Sequence, residues 1–303
     1  MSKSLDVSVY MNNLHQRSNE SLKRILKTRY KQRGEFLTTG VFWNEEAFDL
    51  QNVEVFKNLS IEEQSLLLTQ NSSDRVEEAY HIEKSGIAYG AKMTLLSENL
   101  EERLLYGTFT GDEARHFQLV SKYINNTNLT PECNPFLQLL AQMIETAPKK
   151  SLVFMIQVLL EGWGMDHYNT MAKSCLNESL KEDLSSILAD EASHHGSGLI
   201  LFNESELSRE DLEYVRVSLE TFFSMVQCGP LSVYSRLISS VDSLSRSNKR
   251  DILSQMNAME TTQRKLDQLS ALMKKSGAHT LLGEMESSGK LKSFDIDQML
   301  SIA

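Results

Sequence analysis

The sequence predicts an all-α protein organised around a four-helix bundle of two helical hairpins joined by a long crossover, with further helices before and after it. Three observations carry this expectation. Only four prolines and 14 glycines occur in 303 residues, among Leu, Glu, Lys, Met and Ala spread throughout, which favours long helices over turn-rich β structure. Apolar residues recur with a helical period through most of the chain beyond Asp74. Prolines and short polar turns fall between those periodic runs rather than inside them. The expected organisation is a single domain over 1–303, with an N-terminal helical extension at 1–73, a bundle core at 74–203 and C-terminal helices at 204–303.

Each element follows from local signals. Residues 1–70 read as short helical pieces, among them Ser18 to Gln32 and Ile61 to Gln70, around an aromatic patch at Phe42 and Trp43. Asp74 can act as an N-cap with Glu77 three residues on, opening a helix that runs to about Ser97. A second helix from about Glu101 to Tyr123 completes the first hairpin. Pro131, Pro135 and Pro148 punctuate the crossover and leave room for a connecting helix over Phe136 to Thr146. The second hairpin spans about Lys150 to Cys175 and Ser179 to Phe202, with a tight turn at Leu176 to Glu178. Beyond it, Ser208 to Gln227, Leu231 to Leu244 and Asn248 to Lys275 are helical by period, and the tail from Gly277 reads as irregular.

Bulk properties exclude several classes. Hydrophobic residues make up 41% and charged residues 24%, ordinary for a globular chain, and the net charge is −10 with a pI near 5.3. A nucleic-acid partner is not expected, because such a surface needs a concentrated basic stripe. The most apolar stretch, Leu152 to Leu160, is too short to span a bilayer, and the first residues carry no apolar leader segment, so a cytoplasmic protein with no membrane partner is expected. Cys133, Cys175 and Cys228 form no C-x-x-C pair and read as small buried apolar residues.

One pattern carries chemistry. Asp112, Glu113 and His116 form a D-E-x-x-H string, and Asp190, Glu191 and His194 form a second. E-x-x-H alone is weak, with roughly 0.6 matches expected by chance, and a third occurs at Glu78 and His81; the preceding Asp lowers that expectation to about 0.03. Spacing strengthens the signal. Glu83 precedes Glu113 by 30 residues, Glu161 precedes Glu191 by 30, and the whole pattern repeats at an offset of 78. About 15 residues of helix travel roughly 22 Å, and a partner helix of similar length returns to the starting level, so each hairpin sets a lone Glu opposite an E-x-x-H. Within E-x-x-H the i, i+3 relation puts both side chains on one face. Four carboxylates and two imidazoles make up the ligand set of di-iron and di-manganese carboxylate bundles.

The helix faces agree with this reading. Glu83 shares its face with Val76, Tyr80, Ile87 and Ala91, and Glu113 with Tyr106, Phe109, Phe117 and Val120. Glu161 lies with Phe154, Val158, Met165 and Tyr168, and Glu191 with Leu184, Ile187, Leu188 and Phe202. Buried, ionised glutamates need a positive partner. Glu78 lies with Asn71, Asp74 and Ser85, which marks its match with His81 as surface chemistry. Asp112 and Asp190 are candidates to accept the second N–H of a ligand histidine. Arg115 can add an ion pair on one side only, since Ser193 is its counterpart. His195 reads as a spectator, and Tyr80, Tyr106 and Tyr168 as core residues near the ligands that can donate hydrogen bonds or electrons.

Over about residues 74–203 these motifs resemble the ferritin-like di-iron carboxylate superfamily, and the D-E-x-x-H repeats resemble its O2-activating members, the multicomponent monooxygenase hydroxylases and the arylamine N-oxygenases. The resemblance implies two iron ions, with manganese an alternative. It implies Glu83, Glu113 and His116 on one ion and Glu161, Glu191 and His194 on the other. It further implies oxidation of a small or medium apolar organic substrate by O2, by hydroxylation, N-oxygenation or oxidative cleavage, with a reductase or ferredoxin as electron donor. Ile187 stands where arylamine N-oxygenases carry a further histidine, and Val120 where ribonucleotide reductase radical subunits carry a tyrosine, so N-oxygenation is one candidate among several and a tyrosyl-radical subunit is disfavoured. The alternative class is a metal-handling ferroxidase or a di-manganese or heterodinuclear protein without organic turnover. A third is a metal-free helical interaction protein. The C-terminal hundred residues exceed what a metal bundle needs, and are expected to cap a pocket or form a homodimer.

Overall fold

A computed structural model describes residues 19–30, 40–124, 134–241 and 243–303. Pro131, Cys133 and the outer ends of the Ser18 to Gln32 helix lie outside them. Among the described residues there is no strand, and the helices are α1 (Glu20–Arg29), α2 (Glu54–Lys57), α3 (Ile61–Leu96), α4 (Leu100–Val120), α5 (Pro135–Thr146), α6 (Lys149–Leu152), α7 (Glu161–Ser174), α8 (Glu178–Leu201), α9 (Arg209–Cys228), α10 (Pro230–Ser239), α11 (Arg246–Gln255), α12 (Ala258–Ser276), α13 (His279–Ser287) and α14 (Ile296–Ile302). A π-helical segment, Val153–Leu160, joins α6 to α7. The chain divides into two compact units, Met1–Thr39 with Ser73–Leu152, and Gly40–Ser72 with Val153–Ala303.

Helix starts follow their caps. Asn99 accepts from the Glu102 N–H at 2.8 Å to open α4, Asn134 accepts from Phe136 and Leu137 with Pro135 at the first helical position of α5, and Asn177 accepts from Leu180 to open α8. Ser208 and Asp211 form a reciprocal capping box at α9. Each satisfies backbone donors that a helix start otherwise leaves open.

Four expectations are corrected. Asp74 is not a helix start: α3 runs unbroken from Ile61 through the polar stretch Asn71 to Asp74. Tertiary contact overrides the capping signal there. Ser72 is fully buried and its Oγ accepts from the Phe42 N–H at 3.2 Å, while Ser73 donates to Glu77. The helix expected over Asn248 to Lys275 is two, broken where Asn257 adopts a left-handed backbone at φ 49°, a conformation asparagine tolerates better than most residues. The tail is not irregular: Gly277 at φ 82° closes α12, and α13 and α14 follow. The second hairpin's first helix is not a single α-helix, because the π-helical segment interrupts it.

In the first unit, α3 and α4 pack an aromatic core. Tyr89, Tyr106 and Phe109 are essentially inaccessible, with ring centroids of Tyr89 and Phe109 5.3 Å apart. The crossover helix α5 buries Leu137, Leu140, Met143 and Ile144. Its last turn is held by Lys92 of α3, whose Nζ donates to the carbonyls of Ile144 (2.7 Å), Glu145 (3.1 Å) and Ala147 (3.2 Å). A cation at carbonyls that a helix end leaves open is favourable twice, by hydrogen bonding and by the helix dipole. Lys92→Met is therefore expected to cost about 1–3 kcal/mol and to lower Tm by about 2–6 °C, read by circular dichroism on thermal unfolding.

In the second unit, Trp43 is wholly buried and its indole N–H donates to the Met171 carbonyl at 2.8 Å, so the aromatic patch of the sequence is a core anchor. The C-terminal helices belong to this core. Leu266, Leu269 and Met273 of α12 are fully buried, and Gln268 donates to Asp166 of α7 at 2.9 Å. No helix among the described residues is long and apolar enough to cross a membrane.

Candidate metal centre

Glu83 comes from α3, and Glu113 and His116 from α4. All three are buried, at 1%, 3% and 0% exposure. One ligand atom from each lies within 4.8 Å of the others. His116 Nδ1 is 3.2 Å from Glu83 Oε2. Glycine makes this approach possible. A Cβ at Gly86 of α3 would sit 2.1 Å from Glu113 Oε2 and 2.5 Å from its carboxyl carbon, so the Glu113 carboxylate occupies the space a side chain would fill. One turn on, a Cβ at Gly90 would meet Thr110 Oγ1 at 2.6 Å and its backbone at 3.1 Å. The two glycines let α3 and α4 come close enough for a short acidic side chain to reach across.

The second unit repeats the arrangement. Glu161 is the first residue of α7, directly after the π-helical segment, and Glu191 and His194 lie on α8. Glu191 and His194 are buried and Glu161 half-buried, and one ligand atom from each falls within 4.8 Å of the others. His194 Nδ1 is 3.4 Å from Glu191 Oε2. Glycine again sets the spacing: a Cβ at Gly198 of α8 would meet Gln157 Cβ at 2.6 Å, and one at Gly162 of α7 would meet His195 Cε1 at 2.7 Å.

Each triad thus gathers two carboxylates and one imidazole where water is largely excluded. Even a protonated imidazole leaves an excess of negative charge, which is costly away from solvent unless a cation meets it. Carboxylate oxygens with an imidazole nitrogen are donors suited to first-row divalent ions. Both triads are therefore buried Glu/His groups able to hold a metal ion. No known protein family, curated protein or solved structure matches this chain.

Asp112 and Asp190 are half-buried, each one residue before a triad glutamate. Arg115 is half-buried and its counterpart Ser193 exposed, which keeps any role of the arginine one-sided. Tyr106 is inaccessible; burial pushes its hydroxyl well above the ordinary range, although a hydrogen bond with Tyr89 acts the other way. Tyr80, pushed up to about 12 by burial, lies with its ring 4.7 Å from Phe117. Tyr168 is buried, edge-on to His167. Ile87 is only half-buried and Ala91 exposed, so the apolar face of α3 does not continue past Glu83 as its period implies; it turns to Tyr89 and Met93. The surface reading of Glu78 and His81 is also corrected. His81 is 3% exposed and edge-on to Tyr80, and Glu78 accepts from Asn134 at 3.2 Å. The reason is that α3 is buried on several faces at once around Val76, Ala79, Tyr80 and Ser85.

Two contributors, Gly86 and Gln157, carry no mark in the motif pattern, and the spectator reading of His195 is corrected, since it is buried and bonded to the Gln157 backbone. Gln157 is a fully buried amide inside the most apolar stretch of the chain, and that mismatch is the signal that could have found it. His195 is buried, its Nδ1 lies 3.3 Å from the Gln157 carbonyl, and burial holds its imidazole below the ordinary histidine range.

Proposed function

We propose that this chain is a di-iron protein of the ferritin-like, O2-activating kind, which oxidises a small or medium apolar organic substrate using electrons from a reductase or ferredoxin. One observation carries the reading: a Glu…Asp-Glu-x-x-His pattern written twice in the sequence folds twice into a triad of two carboxylates and one imidazole, five of the six buried and Glu161 half-buried. Iron held by such donors supplies O2 reduction and Lewis acidity. The residues of the chain supply the rest. Glu83, Glu113 and His116 hold one ion and Glu161, Glu191 and His194 the other, and the four carboxylates balance two divalent charges. Glu83, Glu113, His116, Glu191 and His194 are buried, and exclusion of water strengthens the electrostatic hold of the carboxylates and limits escape of reactive oxygen. Asp112 and Asp190 are proposed to orient the two ligand histidines.

The test is anaerobic loading with Fe(II), followed by Mössbauer spectroscopy and an oxygen electrode. Two Fe(II) per chain, and O2 uptake coupled to oxidation of an added apolar compound, are expected. A reduced, loaded protein that stays inert in air overturns the reading. Oxidation of many Fe(II) ions per chain with no organic product replaces it with the ferroxidase alternative, and selective retention of manganese with the manganese or heterodinuclear one.

A further inference from the structure

Gln157 lies four residues before Glu161, on the π-helical segment that delivers α7. Its side chain is wholly buried, and its Nε2 donates to the His194 carbonyl at 3.3 Å and to Ser197 Oγ at 3.0 Å. Its own backbone carbonyl faces His195 Nδ1 at 3.3 Å. A carbonyl only accepts, so this contact places the imidazole proton on Nδ1. Residue 157 is thus tied to α8 by both its side chain and its main chain, at two consecutive residues, one of which is the triad histidine. Gly198 and Gly162 remove the Cβ atoms that would hold the two helices apart at these contacts.

The wide turn of a π-helix has a consequence for Glu161. Each residue added to a helical turn rotates everything after it by about 100° relative to an uninterrupted α-helix. The direction in which Glu161 projects therefore depends on the π-helical turns being kept, and a π-helix is intrinsically the less stable form. Something outside the segment must hold it, and the contacts that reach it from α8 include the hydrogen bonds made through Gln157 and His195, beside the packing of Phe154 on Phe202 at the end of that helix.

We propose that Gln157 and His195 are positioning residues: a reciprocal lock between the π-helical segment and α8 that sets Glu161 against Glu191 and His194 and so assembles the second triad. The proposal rests on the metal-binding reading for its consequence, but not for the lock itself. Neither residue is a metal ligand in it. His195→Asn keeps an N–H donor near the place of Nδ1, whereas His195→Leu removes it, and Gln157→Leu keeps the volume of the amide while removing both of its polar groups.

Two measurements test it. Co(II) affinity, followed by visible absorption, is measured for the second triad alone in a His116→Ala background and for the first alone in a His194→Ala background. Gln157→Leu and His195→Leu are expected to weaken the second triad by about 10–100-fold and leave the first within error, while His195→Asn restores most of the loss. Equal weakening of both triads, or no weakening of either, overturns the lock as a positioning device. Hydrogen exchange on the full-length metal-free protein reads the lock without any metal. Amides of Glu161, Gly162 and Trp163 are expected to exchange faster in both leucine variants and at the wild-type rate in His195→Asn. Unchanged exchange overturns the lock whatever the metal data show. A wild-type protein that takes up no Co(II) but shows the exchange pattern would instead remove the metal-binding reading and keep the lock.

Discussion

Glu113→Gln is expected to remove one metal equivalent and most of the stabilisation that metal confers, while leaving the metal-free protein as stable as the parent or more so. The sign follows from burial. Glu83 and Glu113 lie within 4.8 Å of one another with His116 in a nearly inaccessible space, so without a cation the second carboxylate is an electrostatic burden that a neutral amide of the same shape relieves. With a cation the balance reverses. A ligand at a thousand times its Kd stabilises a fold by about 4 kcal/mol, and the part of that gain owed to the first triad disappears with its carboxylate. Thermal unfolding of both proteins with chelator and with saturating Co(II) or Fe(II) reads both halves of this expectation. A metal-dependent rise in Tm that survives intact in Glu113→Gln would show that the first triad does not bind metal. A large loss of stability in the metal-free variant would show that Glu113 is a structural hydrogen-bonding residue instead.

Gly86→Ala is expected to damage the same triad without touching a ligand. In an ordinary helix interior, alanine stabilises relative to glycine by about 1 kcal/mol, and Gly107 of α4, with nothing within 4 Å of the Cβ it would gain, supplies that benign control. At Gly86 the new Cβ would lie 2.1 Å from Glu113 Oε2 and 2.9 Å from its Cγ, so the carboxylate has to leave its place. Gly107→Ala should therefore raise Tm by a degree or two and keep both metal equivalents. Gly86→Ala should lose at least about tenfold in affinity at the first triad, with the second triad unaffected. The His194→Ala background isolates the first triad for this measurement. Equal metal binding by the two alanine variants would mean that Glu113 is not held against α3 in solution.

Several elements are legible in the order of residues. The caps at Asn99, Asn134 and Asn177 stand at helix starts that the apolar period locates to within a residue or two. The six candidate ligands are readable because their chemistry is repetitive: the spacing of 30 within each half and the offset of 78 between halves survive any error in helix boundaries. Where local rules fail, packing has the stronger hand. Asp74 with Glu77 three residues on carries the signal of a helix start, yet Ser72 is buried and bonded to the Phe42 backbone, and α3 passes straight through. Asn257 carries no such mark and breaks a helix, because a left-handed backbone is a state asparagine can enter at modest cost wherever the surroundings require it.

What the amino-acid order determined alone is the inventory: a helical chain, two copies of one acidic and imidazole pattern, and the helix faces on which those groups fall. A period of 3.6 and a pairing of Glu with His three residues on are properties of a single helix, and a single helix can be read from its own residues. Which residues permit the groups to meet is a property of pairs of helices. Only the tertiary structure identified Gly86 as the space the Glu113 carboxylate fills, the π-helical segment as the element that delivers Glu161, and Gln157 with His195 as its ties to α8. Those facts depend on distances between segments far apart in the chain, and sequence periodicity holds no information about how closely two backbones approach.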